Sequence, residues 1–237
     1  FGSLHCLTKR QWKFTLEAAN ELRMANPDRW TRVWFLIAFL KVSYLRVSEV
    51  CRSLTGTPKM NDIQYAHEFD CWVFHIRHNG KLQRKIALPD AILEYLEVYR
   101  RSRGFSSPLP EACDEQPLIS KLPRWNKLGT DSEHKPDMSI LPGIACEDIN
   151  AVFRYTQSYI ARQQIRHSKS YRDDIDVLKR ASANWLRHTG ATMAIEDGAS
   201  LSDLQVGLGN SDPKASHDHY KKLLKAASIE SIKGRKL

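Results

Sequence analysis

Residues 183–220 read ANWLRHTGATMAIEDGASLSDLQVGLGNSDPKASHDHY, and two residue types in this stretch carry more meaning than the rest: Arg187 inside a helical pattern, and Tyr220 about thirty residues downstream. Apolar residues recur at helical spacing through DVLKRASANWLRHTGATMAIED, so the pattern predicts one helix up to Gly198, which suits the left-handed position that closes a helix. Ser200 followed by Asp203 has the form of a capping box opening SLSDLQVGL. A last helix is expected to hold Tyr220, with Leu223, Leu224 and Ala227 continuing its stripe.

Upstream, Thr8 before KRQWKFTLEAANELRM predicts a capped amphipathic helix. A second helix is predicted over PDRWTRVWFLIAFLKVSYLRVSEV, with Pro27 in its first turn and Arg46 near its end. After SLTGTP the period changes. WVFHIRH and KLQRKIALP flank Asn79-Gly80, and both residues of a two-residue type I′ turn need positive φ, so this is a hairpin of a small antiparallel sheet. His78 and Lys81, flanking the turn, are then directly opposed and face the same side. ALPDAILEYLEVYRRSRG predicts a helix ending near Gly104. Residues 105–145 hold six of the ten prolines without a sustained period and read as an irregular insertion, after which CEDINAVFRYTQSYIARQQI resumes helix.

The bulk properties narrow the class. An apolar fraction of 42% suits a packed core, and a net charge of +9 favours a polyanionic partner, because neutralising phosphates releases counterions. Basic residues cluster: eight Lys/Arg against three Asp between Arg154 and Arg187, and six against Glu230 from Lys221 onward. The longest apolar run, VWFLIAFL at 33–40, falls far short of the roughly 20 residues of a bilayer span and predicts a buried helix. No basic, apolar leader opens the sequence, which gives no support to secretion. The five cysteines are scattered without a Cys-x-x-Cys pair, a pattern of reduced thiols rather than of structural zinc.

LRVSEV around Arg46, the hairpin with Lys81, NWLRHT around Arg187, Leu208-Gly209 and Tyr220 occur in the order in which the catalytic domain of the tyrosine recombinases (the phage integrase family) carries its motifs. The chain resembles that domain over roughly residues 8–225. The resemblance implies a mainly helical α+β fold with a small antiparallel sheet and one catalytic domain over 1–237 with 105–145 as an insertion; the separate N-terminal core-binding domain that many members carry is expected to be absent. It implies Tyr220 as nucleophile and Arg46 and Arg187 as the cations that stabilise the five-coordinate phosphorus. A planar guanidinium that keeps its charge at neutral pH fits that task. The residue that protonates the leaving 5′-oxygen would be Lys81, with His78 the second candidate and Lys85 a weaker one.

Two positions depart from the pattern. The residue three before Arg187 and the residue after Leu208-Gly209, histidines in most relatives, are Asn184 and Asn210. Asparagine donates and accepts hydrogen bonds but does not titrate, so it can hold a phosphate oxygen and cannot act as a general base. Asn184 shares a helix face with Arg187, whereas His188 points about 100° away. The resemblance implies a site-specific recombinase working on double-stranded DNA through a 3′-phosphotyrosyl link, without metal or nucleotide cofactor. It also implies a monomer in solution that assembles as a tetramer on paired sites, in the cytoplasm, at the nucleoid of a bacterial or phage system. The two asparagines keep a second reading open, a DNA-binding protein of this fold with weak or lost cleavage. A basic helical interaction domain with coincidental motifs is the third.

Overall fold

The computed structural model describes residues 5–121, 138–163 and 170–200, together with Leu204 and Leu208. Among these are helices and one three-stranded antiparallel sheet. Helix α1 (Lys9–Ala25) opens on the expected cap: the Thr8 hydroxyl accepts from the Gln11 amide at 3.2 Å, and the Gln11 side chain accepts from the Thr8 amide at 2.9 Å. Asn26 caps α2 (Pro27–Ser43), whose first residue is the expected proline.

Helix α2 is the centre of the molecule. Of its apolar run only Trp34 reaches solvent in part, while Val33, Phe35, Leu36, Ile37, Ala38, Phe39 and Leu40 are buried. Each large side chain so covered contributes about 1.5–3 kcal/mol. Around α2 pack α1, α4 (Asp90–Ser102), the sheet and α7 (Ala183–Glu196). Helix α5 (Pro142–Gln163) lies against α1 and carries α6 (Ser170–Arg180). Polar ties join the layers. Arg10 and Gln11 of α1 meet the buried Asp174 of α6 at 2.7 and 2.9 Å, and Arg32 of α2 pairs with Asp148 of α5.

The second helix stops earlier than its pattern predicts. Tyr44 takes the left-handed conformation (φ 55°, ψ 26°), and Arg46, instead of ending that helix, is the extended residue before a four-residue turn of helix, α3 (Val47–Val50). The predicted helix through residue 197 is likewise broken, with Ala181 and Ser182 separating α6 from α7. No proline or glycine marks either break, so both are tertiary decisions. α6 turns its apolar face to α5, and α7 must reach α2. Helix α5 begins at Pro142, four residues ahead of the predicted CEDIN start. Gly198 closes α7 as expected, with φ 98° and the Schellman pair of bonds, Ala199 N to Ala194 O (2.8 Å) and Gly198 N to Ile195 O (3.0 Å). The Ser200 carbonyl accepts from the helical Leu204 amide at 3.3 Å, while Asp203, the other half of the expected capping box, lies outside the described residues. So does the helix expected around Tyr220.

The hairpin forms where predicted, between β2 (Cys71–His78) and β3 (Lys81–Leu88), with φ of 50° at Asn79 and 77° at Gly80. A strand that the sequence reading did not single out, β1 (Ile63–Ala66), pairs with the far edge of β2. Between Ile76 and Arg77 the ladder shifts by one residue of β3. That bulge lets His78 oppose Lys81 at the turn while Ile76 opposes Arg84 lower down, so Arg84 shares the face of Phe74 and Ile86.

Helices α2 and α7 touch backbone to side-chain face at Gly190. A Cβ built there would lie 1.8 Å from the Lys41 carbonyl oxygen and 2.9 Å from the Tyr44 ring. Gly190→Ala is therefore expected to force the helices apart and to cost about 3 kcal/mol, a fall in Tm of roughly 6–12 °C for a chain of this size. An unchanged melting curve would show that the two helices do not meet this closely.

Candidate active site

The left-handed turn at Tyr44 has a chemical consequence. It leaves the Tyr44 carbonyl outside the helical ladder, and Arg187 Nη1 donates to that oxygen at 2.8 Å across 143 residues of sequence. Arg187 Nη2 donates to the Leu208 carbonyl at 2.7 Å. Leu208 is held in turn by a small cluster with Ala191, Ile195 and Leu204, against which Tyr44 packs. Arg187 is only 4% exposed, and a guanidinium can be buried only where its donors are met. Gly190, one turn further along α7, is what allows the approach to α2 that puts Arg187 within reach of Tyr44.

A single carboxylate completes the arrangement. Glu49, on α3, accepts from the Arg46 backbone amide through Oε2 at 2.8 Å and from Arg84 Nη2 through Oε1 at 2.7 Å. Arg187 Nη1 lies 3.8 Å from the same Oε2. Glu49 thus engages the side chains of Arg84 on β3 and Arg187 on α7 and the backbone amide of Arg46 just before α3, a residue that is itself exposed. Sequence reading quoted Glu49 inside LRVSEV without a role and missed Arg84. Its signal was present: Arg84 stands two and four residues before Ile86 and Leu88, on the inward side of the strand.

Arg46 lines a cleft of about 1260 Å³ whose other walls include Arg52, Arg77, His75 and His78. Its two acidic residues are both in ion pairs, Glu49 with Arg84 and Asp62 with Arg77 at 2.8 Å, so the wall is dominated by positive charge. Burial, and then Lys85 and Arg77, push the His75 imidazole below its ordinary value. His78 and Gly80 stand on the wall, whereas Lys81, opposite His78 in the register, is exposed at the hairpin tip and is not among the lining residues. Lys85 pairs with His75 in the ladder and meets Glu68 at 3.5 Å on the solvent side.

Asn184 is exposed on the first turn of α7, and its Nδ2 lies 3.2 Å from His188 Nε2, one helical turn away. The amide at the position of the missing histidine therefore engages an imidazole on its own helix, a pairing that the sequence reading did not foresee. Asn210 and Tyr220 lie outside the described residues. The described residues bring the side chains of Arg187 and Arg84 and the backbone of Arg46 to the Glu49 carboxylate, with Arg46 and His78 on the wall of the adjoining cleft. Glu49→Gln removes the charge that meets the Arg84 and Arg187 side chains. It is expected to lower stability by about 3 kcal/mol, the lower end for a broken buried pair because Glu49 and Arg84 retain 16% and 17% exposure. Thermal denaturation checks this, and a Tm within a degree of the parent would remove Glu49 from its organising role.

No family model and no curated protein matches the chain. Solved structures do. XerA recombinase superposes with a TM-score of 0.59 at 16% identity, covering 98% of this chain and 66% of that one. XerH site-specific recombinase bound to difH substrate, a pre-cleavage complex, gives 0.54 at 16% identity over 94% of this chain and 52% of that one. The Tn1549 transposon integrase in complex with circular intermediate DNA gives 0.54 at 15% identity, over 90% and 60%. The chain spans between about half and two thirds of the length of these structures. With its helices, its three-stranded antiparallel sheet and these superpositions, the chain has the catalytic-domain fold of the tyrosine recombinases.

Proposed function

We propose that the chain is the cleaving part of a site-specific DNA recombinase. The observation that carries this reading is that Glu49 fixes the Arg46 backbone and pairs with the buried Arg187, and that the exposed Arg46 lines a cleft walled by basic residues, in a fold shared with recombinases. Tyr220 supplies the nucleophile: its phenolic oxygen attacks phosphorus, the bond to the 5′-oxygen breaks, and a 3′-phosphotyrosyl link remains. A phenol of ordinary pKa near 10 is neutral at pH 7, so cations must stabilise its oxyanion as it attacks. Arg46 provides positive charge on the non-bridging oxygens, and removing one such donor typically costs on the order of 10² to 10³ in rate. His78 or Lys81 gives the leaving 5′-oxygen its proton. The 5′-hydroxyl of a partner strand then attacks the phosphotyrosine and restores the tyrosine. The bond energy stays in the covalent link, so neither metal nor nucleotide enters. The protein acts on double-stranded DNA as a monomer that assembles into a tetramer on paired sites.

Nicked duplexes carrying a sequence that the protein selects from a random pool provide the test. Wild-type protein is expected to form covalent adducts on a denaturing gel, and Tyr220→Phe to form none while binding the same duplex. Adducts at wild-type level in the phenylalanine variant would take the role from Tyr220.

Two features favour the second reading, a binder of the same fold with weak or lost cleavage. Arg187 gives Nη1 and Nη2 to backbone carbonyls, and Asn184 is engaged with His188 rather than titrating. If cleavage was lost with the histidines, changing Asn184 and Asn210 together to histidine should produce adducts where the parent makes none. Adducts formed by the parent as readily as by the double variant would end this reading.

A further inference from the structure

Beside Arg46 and Arg52, on the wall of the cleft, one side chain is out of place for its chemistry. Leu54 is 106% exposed, more open than an isolated leucine in an extended chain, and it is the most exposed of the large apolar residues among those described. Single exposed leucines are common on protein surfaces. This one is held by a rigid frame. The Ser53 amide donates to the Gly56 carbonyl at 2.9 Å and the Gly56 amide returns to the Ser53 carbonyl at 3.3 Å, closing a four-residue turn with Leu54 at its outer corner. Inside it the Ser53 and Thr55 hydroxyls share a hydrogen bond of 2.9 Å, and Gly56 supplies φ 137°. The turn is fastened at both ends. The Thr55 carbonyl accepts from the Asn79 amide at the hairpin tip (2.8 Å), and the Arg52 amide donates to Ile140 O beside α5 (2.9 Å).

The pinned backbone of the turn loses little freedom when the leucine is covered, so only side-chain rotamer entropy offsets its burial by a ligand. The ligand must also accept the surrounding charge, since the same wall carries Arg46, Arg52, Lys59 and Arg77. A duplex answers both demands. Its phosphates face the cations, and the floor of its major groove exposes one apolar group, the C5-methyl of thymine. We propose that Leu54 is a base-reading residue that packs on a thymine methyl when DNA occupies the cleft. This rests on reading the cleft as a DNA site. It assigns to the turn 53–56 a share of sequence choice, separate from the residues of the cleavage reaction.

The experiment is selection from a random-sequence duplex pool at about 0.15 M salt, by the wild-type chain and by Leu54→Ala, with affinity for unselected duplex measured for both. Because Leu54 makes no buried contact, the variant should melt with the parent. The wild type is expected to enrich a motif with thymine at one position. The variant should lose preference there alone, with the other positions and the affinity for unselected duplex unchanged. Replacing that thymine by deoxyuridine, which removes only the methyl, should weaken the wild type about fourfold, the value of one methyl withdrawn from water, and leave the variant unaffected. Identical motifs from the two proteins would overturn the proposal, as would a variant weakened on every sequence alike. A wild type that binds unselected duplex without enriching any motif would overturn it while leaving the DNA reading intact. A wild type that retains no duplex at all would end both.

Discussion

A buried guanidinium tolerates very few environments, and Arg187 has found one that uses three separate parts of the chain. Its donors are met by the carbonyl at the end of α2, by the carbonyl of Leu208 and, at longer range, by Glu49. Each partner is unusual in its own setting. The Tyr44 carbonyl is available because the helix ends there in a left-handed residue, and the Leu208 carbonyl because a small apolar cluster holds Leu204 and Leu208 against α7. Removing any of them would strand a charge in a dry interior, which costs more than the interaction itself contributes. This requirement explains the end of α2 at Tyr44 better than local propensity does.

Close packing makes the requirement feasible. The approach of α7 to α2 at Gly190 leaves no room for a Cβ, and it brings Arg187, one turn earlier, onto the C-terminal end of α2. The neighbouring apolar run of α2 supplies the rigid surface against which this happens. Function and stability are therefore coupled in a specific sense here. The residues that set the helix separation are small and apolar, while the residue whose position depends on that separation is the charged one.

The sheet contributes through its ladder. A one-residue bulge lets the tight turn keep His78 opposite Lys81, yet keeps Arg84 on the inner face, where it reaches Glu49. The same hairpin tip braces the turn 53–56 through Asn79, so the basic cleft is framed by elements that hold one another in place. Under the proposed cleavage, preorganisation of this kind would matter, because cations already aimed at developing charge need no reorganisation at the moment of reaction.

Periodicity and turn chemistry alone determined much of this protein. The capped α1, the buried run of α2, the Asn79-Gly80 hairpin, the close of α4 near Gly104 and the Gly198 cap all follow from local rules, since each depends on residues within one or two turns of one another. The order of LRVSEV, hairpin and NWLRHT likewise pointed to the recombinase fold. Tertiary structure alone decided the rest. It set where α2 and α6 stop, that β1 joins the sheet, that Asn184 engages His188, and that Glu49 pairs with Arg84 and Arg187. These outcomes turn on donors and acceptors far apart in sequence, whose pairing local propensity does not encode and whose satisfaction in a water-poor interior is worth more than the helical hydrogen bonds given up to reach it.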